Sequence, residues 1–468
     1  MKALNREILR LALPSILANI SIPLVGMVDM AVAGHLGGAA AVLIGALTVG
    51  STLFDLLYWN FAFLRAGTGG STAQAFGRGD KAEQAAIFIR AAITGLLAGL
   101  LLVAIQWPFL KLAFAVIHCT PEVQELATRY FMIRIWAAPA ALSLMAFKGW
   151  FIGMQDSVSP MIADLLVLSV NAAASICMAF GVPALGIPAM GFDGIAAGTI
   201  FAQYTTLAFS ILVVAFKYKK VFRDIDFEDV RRAFAPRAMK EFFSLNGDLL
   251  VRSLCFMVVY TGFTAISARY GDVLLASGAL IMKIMMLFSF FTDGFAYAGE
   301  ALTGRFIGEE QREMVSKTIR NVFIWSMSIA ALFMVMNACL SVPMFRIFTS
   351  DVTVIEASSK FVPWIVLMPL LGCPAFTWDG IYVGATLTRP LRNSSLFFVA
   401  ISVIVWIAGI SIMNSSFGLP ALSFGPDPGP GEPGHYGFMA MHVLFIAYMV
   451  HLLVRCIYLT VYWRRRRM

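Results

Sequence analysis

The chain has 468 residues, 59% of them hydrophobic and only 13% charged, with a mean hydropathy of +0.80. A soluble protein averages about 25% charged residues, so a soluble domain array is excluded and the bilayer is the expected solvent. The net charge of +8 does not indicate a nucleic-acid partner. The basic residues fall in short loops between apolar runs, where they act as topology signals.

Apolar runs near 20 residues predict twelve transmembrane helices, at 8–34, 43–65, 87–110, 129–152, 160–181, 193–216, 242–267, 274–300, 318–341, 358–384, 394–413 and 438–462. The runs are too long for barrel strands, and the fold is expected to be all-α. The first run follows Lys2, Arg6 and Arg10 and extends to about Gly34. It is too long for a signal-peptide core and reads as the first span.

Asp29 stands alone in that span, about 20 residues from its start and hence in the outer half of the membrane. A carboxylate at such a depth costs roughly 2.5–3.5 kcal/mol on insertion scales. To take up protons near neutral pH, its charged form must be disfavoured by about 4 kcal/mol, which burial can supply. Pro14 and Pro23 interrupt the same helix, and each permits a kink. A titratable group on a bendable helix reads as a switch.

Asp55 is the second membrane carboxylate and, if it faces Asp29, the two would share a proton. Arg65 either pairs with a carboxylate or marks the cytoplasmic end of the second span. Lys148, about one turn from a cytoplasmic end, either snorkels or serves as a cavity or ion-pair residue. Lys283 falls near mid-membrane, as a cavity or ion-pair residue. Asp293, Glu300 and Asp379 lie toward the cytoplasmic ends of their predicted spans and read as network, gate or substrate-contact groups. Met282, Met285 and Met286 flank Lys283; they read as core packing or as an adaptable surface for apolar ligands.

The six cysteines are scattered and the five histidines form no HExxH. No metal site, no cofactor and no catalytic constellation is expected.

Cations alternate between loops. One side holds Lys2, Arg6, Arg10, Arg78, Lys81, the cluster at 217–240, Arg305, Arg312, Lys317, Arg389, Arg392 and the terminal Arg464–Arg467. The positive-inside rule puts both termini in the cytoplasm, and the terminal arginines can also touch anionic lipid. At a shift of 231 residues, Gly77 meets Gly308, Glu125 meets Glu356, Arg129 meets Lys360, Gly149 meets Gly380 and Gly153 meets Gly384. The expected organisation is therefore two six-helix lobes in a parallel pseudo-twofold repeat, with a membrane-normal axis. They would span 1–216 and 241–468, with a cytoplasmic linker at 217–240. The Pro/Gly-rich stretch 414–437 reads as a solvated outer loop.

The segment Leu11-Ala12-Leu13-Pro14, Pro23-Leu24-Val25-Gly26-Met27-Val28-Asp29 and Gly34-His35-Leu36-Gly37 resembles the first helix of MATE multidrug exporters, most of all their DinF branch. Phe63-Leu64-Arg65, Gly69 through Gly77, Asp293 through Glu300, Asp379-Gly380 with Gly384-Ala385-Thr386, and Arg392-Asn393-Ser394 extend the match over nearly the whole chain. The resemblance implies two lobes in a V around a central cavity. It also implies export of lipophilic, often cationic small molecules driven by proton or sodium entry. Asp29 matches the family's coupling carboxylate, Pro14 its bending proline, and Asn171 and Thr199 polar positions of the N-lobe ion site. Where sodium-type members carry an Asp, this chain has Ser175, which favours protons over Na⁺. Lys283 is a second departure, and leaves anionic or zwitterionic substrates open.

The expectation is a monomeric proton-coupled antiporter of the bacterial inner membrane. The rival readings are a sodium-coupled exporter and a lipid-linked precursor flippase, which would need a strongly cationic cavity. A membrane enzyme would need a nucleophile–base or metal constellation.

Overall fold

A computed structural model of the chain describes all residues except 1, 38–39, 118, 224, 421–433 and 467–468. Most of the 414–437 loop and Arg467 therefore lie outside the described residues. Twelve helices are long and apolar enough to cross a membrane: α1 (Lys2–His35), α2 (Ala40–Gly77), α3 (Lys81–Ala104), α4 (Pro121–Gly153), α5 (Val158–Phe180), α6 (Phe192–Lys217), α7 (Pro236–Tyr270), α8 (Asp272–Gly308), α9 (Arg312–Phe348), α10 (Val362–Gly384), α11 (Thr388–Ser416) and α12 (His435–Arg465). Among the described residues the only β feature is an isolated bridge between Val182 and Ile187.

Several spans run past the limits that hydropathy sets. The second run was expected to stop at Arg65, but α2 continues to Gly77 after a 3-10 turn at Trp59–Phe61. Its last turns, Gly67-Thr68-Gly69-Gly70-Ser71-Thr72-Ala73, are small and weakly hydrophobic. Such residues let helix backbones approach closely in a bilayer, and here they are almost all buried. Likewise α8 continues eight residues beyond Glu300 to Gly308.

The repeat is visible in how helices pair. In the first half α2 packs on α4, α3 on α4, α5 on α6 and α1 on α5. In the second half α8 packs on α10, α9 on α10, α11 on α12 and α7 on α11. Local geometry repeats at the same 231-residue shift. Gln155 and Thr386 both take positive φ (61° and 55°), and so do Gly79 (69°) and Glu310 (59°). Gly149 and Gly380 mark the same contact in each lobe: a Cβ on Gly149 would lie 2.2 Å from the Arg65 carbonyl oxygen, and one on Gly380 2.0 Å from that of Ala296.

The lobes meet along α2 and α8, and each lobe's first helix crosses to the other lobe. The first half of α1 packs on α8, where Leu4, Ile8, Leu11, Ala12 and Ile16 form one core with Phe295, Ala298, Ala301 and Leu302. Equivalently, Leu249 of α7 packs with Ala66 of α2. At the end of the molecule where the termini lie, Gly77 and Gly308 touch: a Cβ on either would be 3.0 Å from the other's Cα. Gln74 Nε2 donates to the Gly384 carbonyl at 2.9 Å and Gln155 Nε2 to that of Ala301 at 2.8 Å. Farther along the same helices, Asp55 and Lys283 are exposed. The lobes are thus in direct contact on the side of the termini.

Valine at Gly149 or Gly380 is expected to cost about 1–3 kcal/mol by overpacking, read as a lower melting temperature of the purified protein. Gly262, whose Cβ would meet nothing within 4 Å, serves as the control: Gly262→Ala should be neutral or slightly stabilising.

Candidate functional site

Asp29 lies about four fifths of the way along α1 and is 2% exposed. Its neighbours come from α5 and α6. Ser175 Oγ donates to Asp29 Oδ1 at 3.3 Å, and Asn171 sits against the same carboxyl. Asn171 Nδ2 donates to Thr199 Oγ1 at 3.0 Å. Asn171, Ser175 and Thr199 are all buried. Gly198 allows this closeness, since a Cβ there would lie 2.6 Å from Ser175 Oγ. The carbonyl oxygen of the Asn171 side chain has no hydrogen-bond partner, and a buried acceptor without a donor carries a desolvation penalty of about 1–3 kcal/mol. The site therefore holds one carboxylate, neutral donors and one vacant acceptor.

Arg134 on α4 is the cation whose field reaches Asp29. It also reaches Asp55. Arg134 donates to Tyr130 Oη at 2.8 Å and stacks over Phe54 at 4.6 Å, just before a 3-10 turn at Ile135–Ala137. Asp55 was expected to share a proton with Asp29 if the two faced each other. They form no hydrogen bond, and Asp55 is instead exposed, with Lys283 of the other lobe as its second cationic neighbour. Neither Asp55 nor Lys283 has an ion-pair partner among the described residues.

Both prolines of α1 lie inside a continuous helix. Pro14 has no N–H, which frees the Arg10 carbonyl. Ser157 Oγ, from the turn between α4 and α5, donates to that carbonyl at 3.1 Å.

A second charged cluster occupies the seam between the lobes. Arg65 pairs with Glu300 at 3.0 Å across the interface and lies over the Tyr297 ring at 4.2 Å. Arg65 is therefore a mid-helix ion-pair partner and not the end of its span. Glu300 is completely buried, and its carboxylate rests on Gly69, where a Cβ would lie 2.0 Å from Oε1. Asp379 contacts both Arg252 and Arg455. Arg65, Arg252, Asp293, Glu300 and Asp379 line a cavity of about 180 Å³ together with Ser253, Tyr297 and Phe376, and Arg455 lies outside this lining, against Asp379. Asp293 and Glu300 thus lie well inside α8, not toward its end as the shorter predicted span placed them.

Of the two alternatives for Lys148, the ion pair is the one present: it pairs with Asp164 of α5 at 2.6 Å. Met285 is buried in the C-lobe core with Met282 packed against it, and Met286 is half-buried. Sequence reasoning missed Arg134, Asp164, Arg252 and Arg455. Asp164 and Arg455 are lone charges inside apolar runs, the same signal that singled out Asp29, so these two were findable; Arg134 and Arg252 share their runs with Arg129 and Asp248.

A family model described as MatE matches residues 14–177 and 249–408. The chain belongs to the MatE family. It is thus a membrane transporter of the multidrug and toxin efflux class. Its sequence is 28% identical over 461 residues to the DNA damage-inducible protein F of Escherichia coli K12, covering 98% of this chain and 92% of that protein. It is 25% identical over 399 residues to a probable multidrug resistance protein NorM of Thermotoga maritima, covering 83% and 81%. Among solved structures, the MatE fold superposes on an outward-facing multidrug resistance MATE transporter with a TM-score of 0.79 at 18% identity, covering 99% of this chain and 96% of that one. MATE crystal structures in bent and straight conformations score 0.78 and 0.74, at 17% and 19% identity, each covering 99% of this chain and 95% and 96% of theirs.

In this MatE transporter the buried Arg65–Glu300 pair offers a direct energetic test. Removing one partner strands a buried charge, at a cost of about 3–5 kcal/mol, whereas removing both can be nearly neutral. Arg65→Gln and Glu300→Gln should each lower the melting temperature markedly, and the double substitution should recover most of the loss.

Proposed function

We propose that the protein exports lipophilic small molecules bearing a cationic group from a bacterial cytoplasm in exchange for protons. It sits in the inner membrane with both termini inside, and Asp29 is its coupling carboxylate. The observation that carries this reading is the vacant side-chain oxygen of Asn171 beside Asp29. A protonated carboxylic acid is a donor as well as an acceptor. Proton uptake on Asp29 supplies the O–H that Asn171 Oδ1 lacks, and at the same time removes the attraction toward Arg134. Both changes act on α1, where Pro14 and Pro23 weaken the helical ladder. A repositioned α1 alters the N-lobe and also its own packing on α8 of the other lobe. The switch and the inter-lobe seam therefore share one helix. With the termini inside, the lobe contacts at Gly77 and Gly308 close the cytoplasmic side, and the driving proton enters and substrate leaves on the other.

Ser175 supports protons over sodium. A hard cation needs several oxygen ligands with enough negative charge among them, and this site offers only one carboxylate. A flippase for a lipid-linked pyrophosphate would need a cationic cavity. In the inter-lobe cluster the three arginines Arg65, Arg252 and Arg455 are matched by Asp293, Glu300 and Asp379.

Two experiments test the reading. In proteoliposomes, an imposed pH gradient should drive flux of a fluorescent organic cation and a sodium gradient should not; Asp29→Asn should abolish the proton-driven flux. Sodium-driven flux in the wild type would overturn the proton assignment. Adding a carboxylate with Ser175→Asp should introduce a sodium-dependent rise in melting temperature that the wild type lacks.

A further inference from the structure

The inter-lobe cavity has an unusual charge arrangement. Arg65 and Glu300 satisfy each other. Lys148, the next nearest cation, is held by Asp164. Arg252 and Arg455, in contrast, converge on one oxygen, Asp379 Oδ2. Two guanidiniums share one carboxylate, so one positive charge is surplus. Arg455 is 1% exposed, and its Nε and Nη1 have no hydrogen-bond partner; nor does Arg252 Nε or Asp379 Oδ1. Both guanidiniums lie over the Phe256 ring, at 5.0 and 4.8 Å, which leaves their edges free.

Asp293 is the counterpart. It lines the same cavity and has no hydrogen bond or ion pair among the described residues. Arg65, Arg252 and Arg455 are near enough for their fields to reach it, yet none pairs with it. The cavity walls therefore carry one unsatisfied negative group and one surplus positive group. Buried charges without partners are costly, and a transporter site that leaves both unpaired is complementary to a ligand that brings both.

We propose that this cavity is a subsite for a zwitterionic head group, with a ligand ammonium on Asp293 and a ligand carboxylate on Arg252, whose own carboxylate partner is shared with Arg455. Phe376 and Tyr297 flank the apolar remainder of the ligand. The inference rests on the transport reading and narrows it: the cationic group of the substrate is accompanied by an anionic one.

The test uses three matched probes on the purified full-length protein in nanodiscs. Nε-dansyl-lysine carries free ammonium and carboxylate groups, its methyl ester carries only the cation, and its Nα-acetyl derivative only the anion. A charge-assisted hydrogen bond contributes about 1.5–3 kcal/mol, so the zwitterion should bind about tenfold or more tightly than either derivative. Asp293→Asn should weaken the zwitterion and the ester and spare the acetyl derivative. Arg252→Gln should weaken the zwitterion and the acetyl derivative and spare the ester. Asp293→Glu should keep the wild-type order. If the three probes bind alike, if the ester binds best, or if the order survives Asp293→Asn, the proposal is overturned; the Asp293 variants decide it even if Arg252→Gln does not fold. Proton-driven uptake of tetraphenylphosphonium in the same preparation separates the two levels. Uptake without zwitterion preference rejects only the subsite, whereas no proton-driven uptake of either tetraphenylphosphonium or the zwitterion rejects the transport reading.

Discussion

A lone carboxylate sealed among neutral groups is the constraint on which this molecule turns. Asp29 is almost fully buried and accepts a hydrogen bond from a serine, where an ion-pair partner would have fixed it permanently in its charged form. Its nearest cation, Arg134, is committed to a tyrosine hydroxyl and an aromatic face. A charge held by a direct salt bridge is stable and inert. One stabilised only by long-range attraction and a neutral donor is balanced between two protonation states. The packing of α1, α5 and α6, brought together by Gly198, keeps water away from that balance.

The pseudo-twofold repeat would give the proposed switch its leverage. Each lobe is built from the same helix pairings, and each sends the first half of its leading helix across to the other lobe. The helix bearing Asp29 is therefore also a structural member of the opposite lobe. The symmetry is broken where chemistry is needed. Arg65 corresponds to Ala296 and Gly69 to Glu300 under the repeat, so this ion pair crosses the interface once where strict symmetry would give it twice or not at all. Gly69 has no side chain because the Glu300 carboxylate occupies that space.

Much of this was legible in the sequence. Twelve spans, the 231-residue repeat and the isolation of Asp29 could all be read from hydropathy and spacing. The spans came out short at α2 and α8 because hydropathy weighs apolar side chains. There, helix ends packed through glycine, serine and threonine look like loops. That error moved Arg65, Asp293 and Glu300 toward span ends and hid the inter-lobe cluster. The partners of Lys148 and Asp379 were not legible, because pairing between helices far apart in sequence depends on rotation about each helix axis, and a single sequence does not fix that rotation.

The central claim is that one group, Asp29, exchanges its proton against substrate. Linkage makes this reciprocal: if proton uptake expels substrate, substrate binding must expel a proton. The most direct measurement is proton release into weakly buffered solution when a transported ligand is added to the purified protein. The account predicts about one proton per bound ligand, and none from Asp29→Asn with ligand binding retained. Wild-type protein that binds ligand without releasing a proton, or an Asp29→Asn variant that releases one all the same, would contradict it.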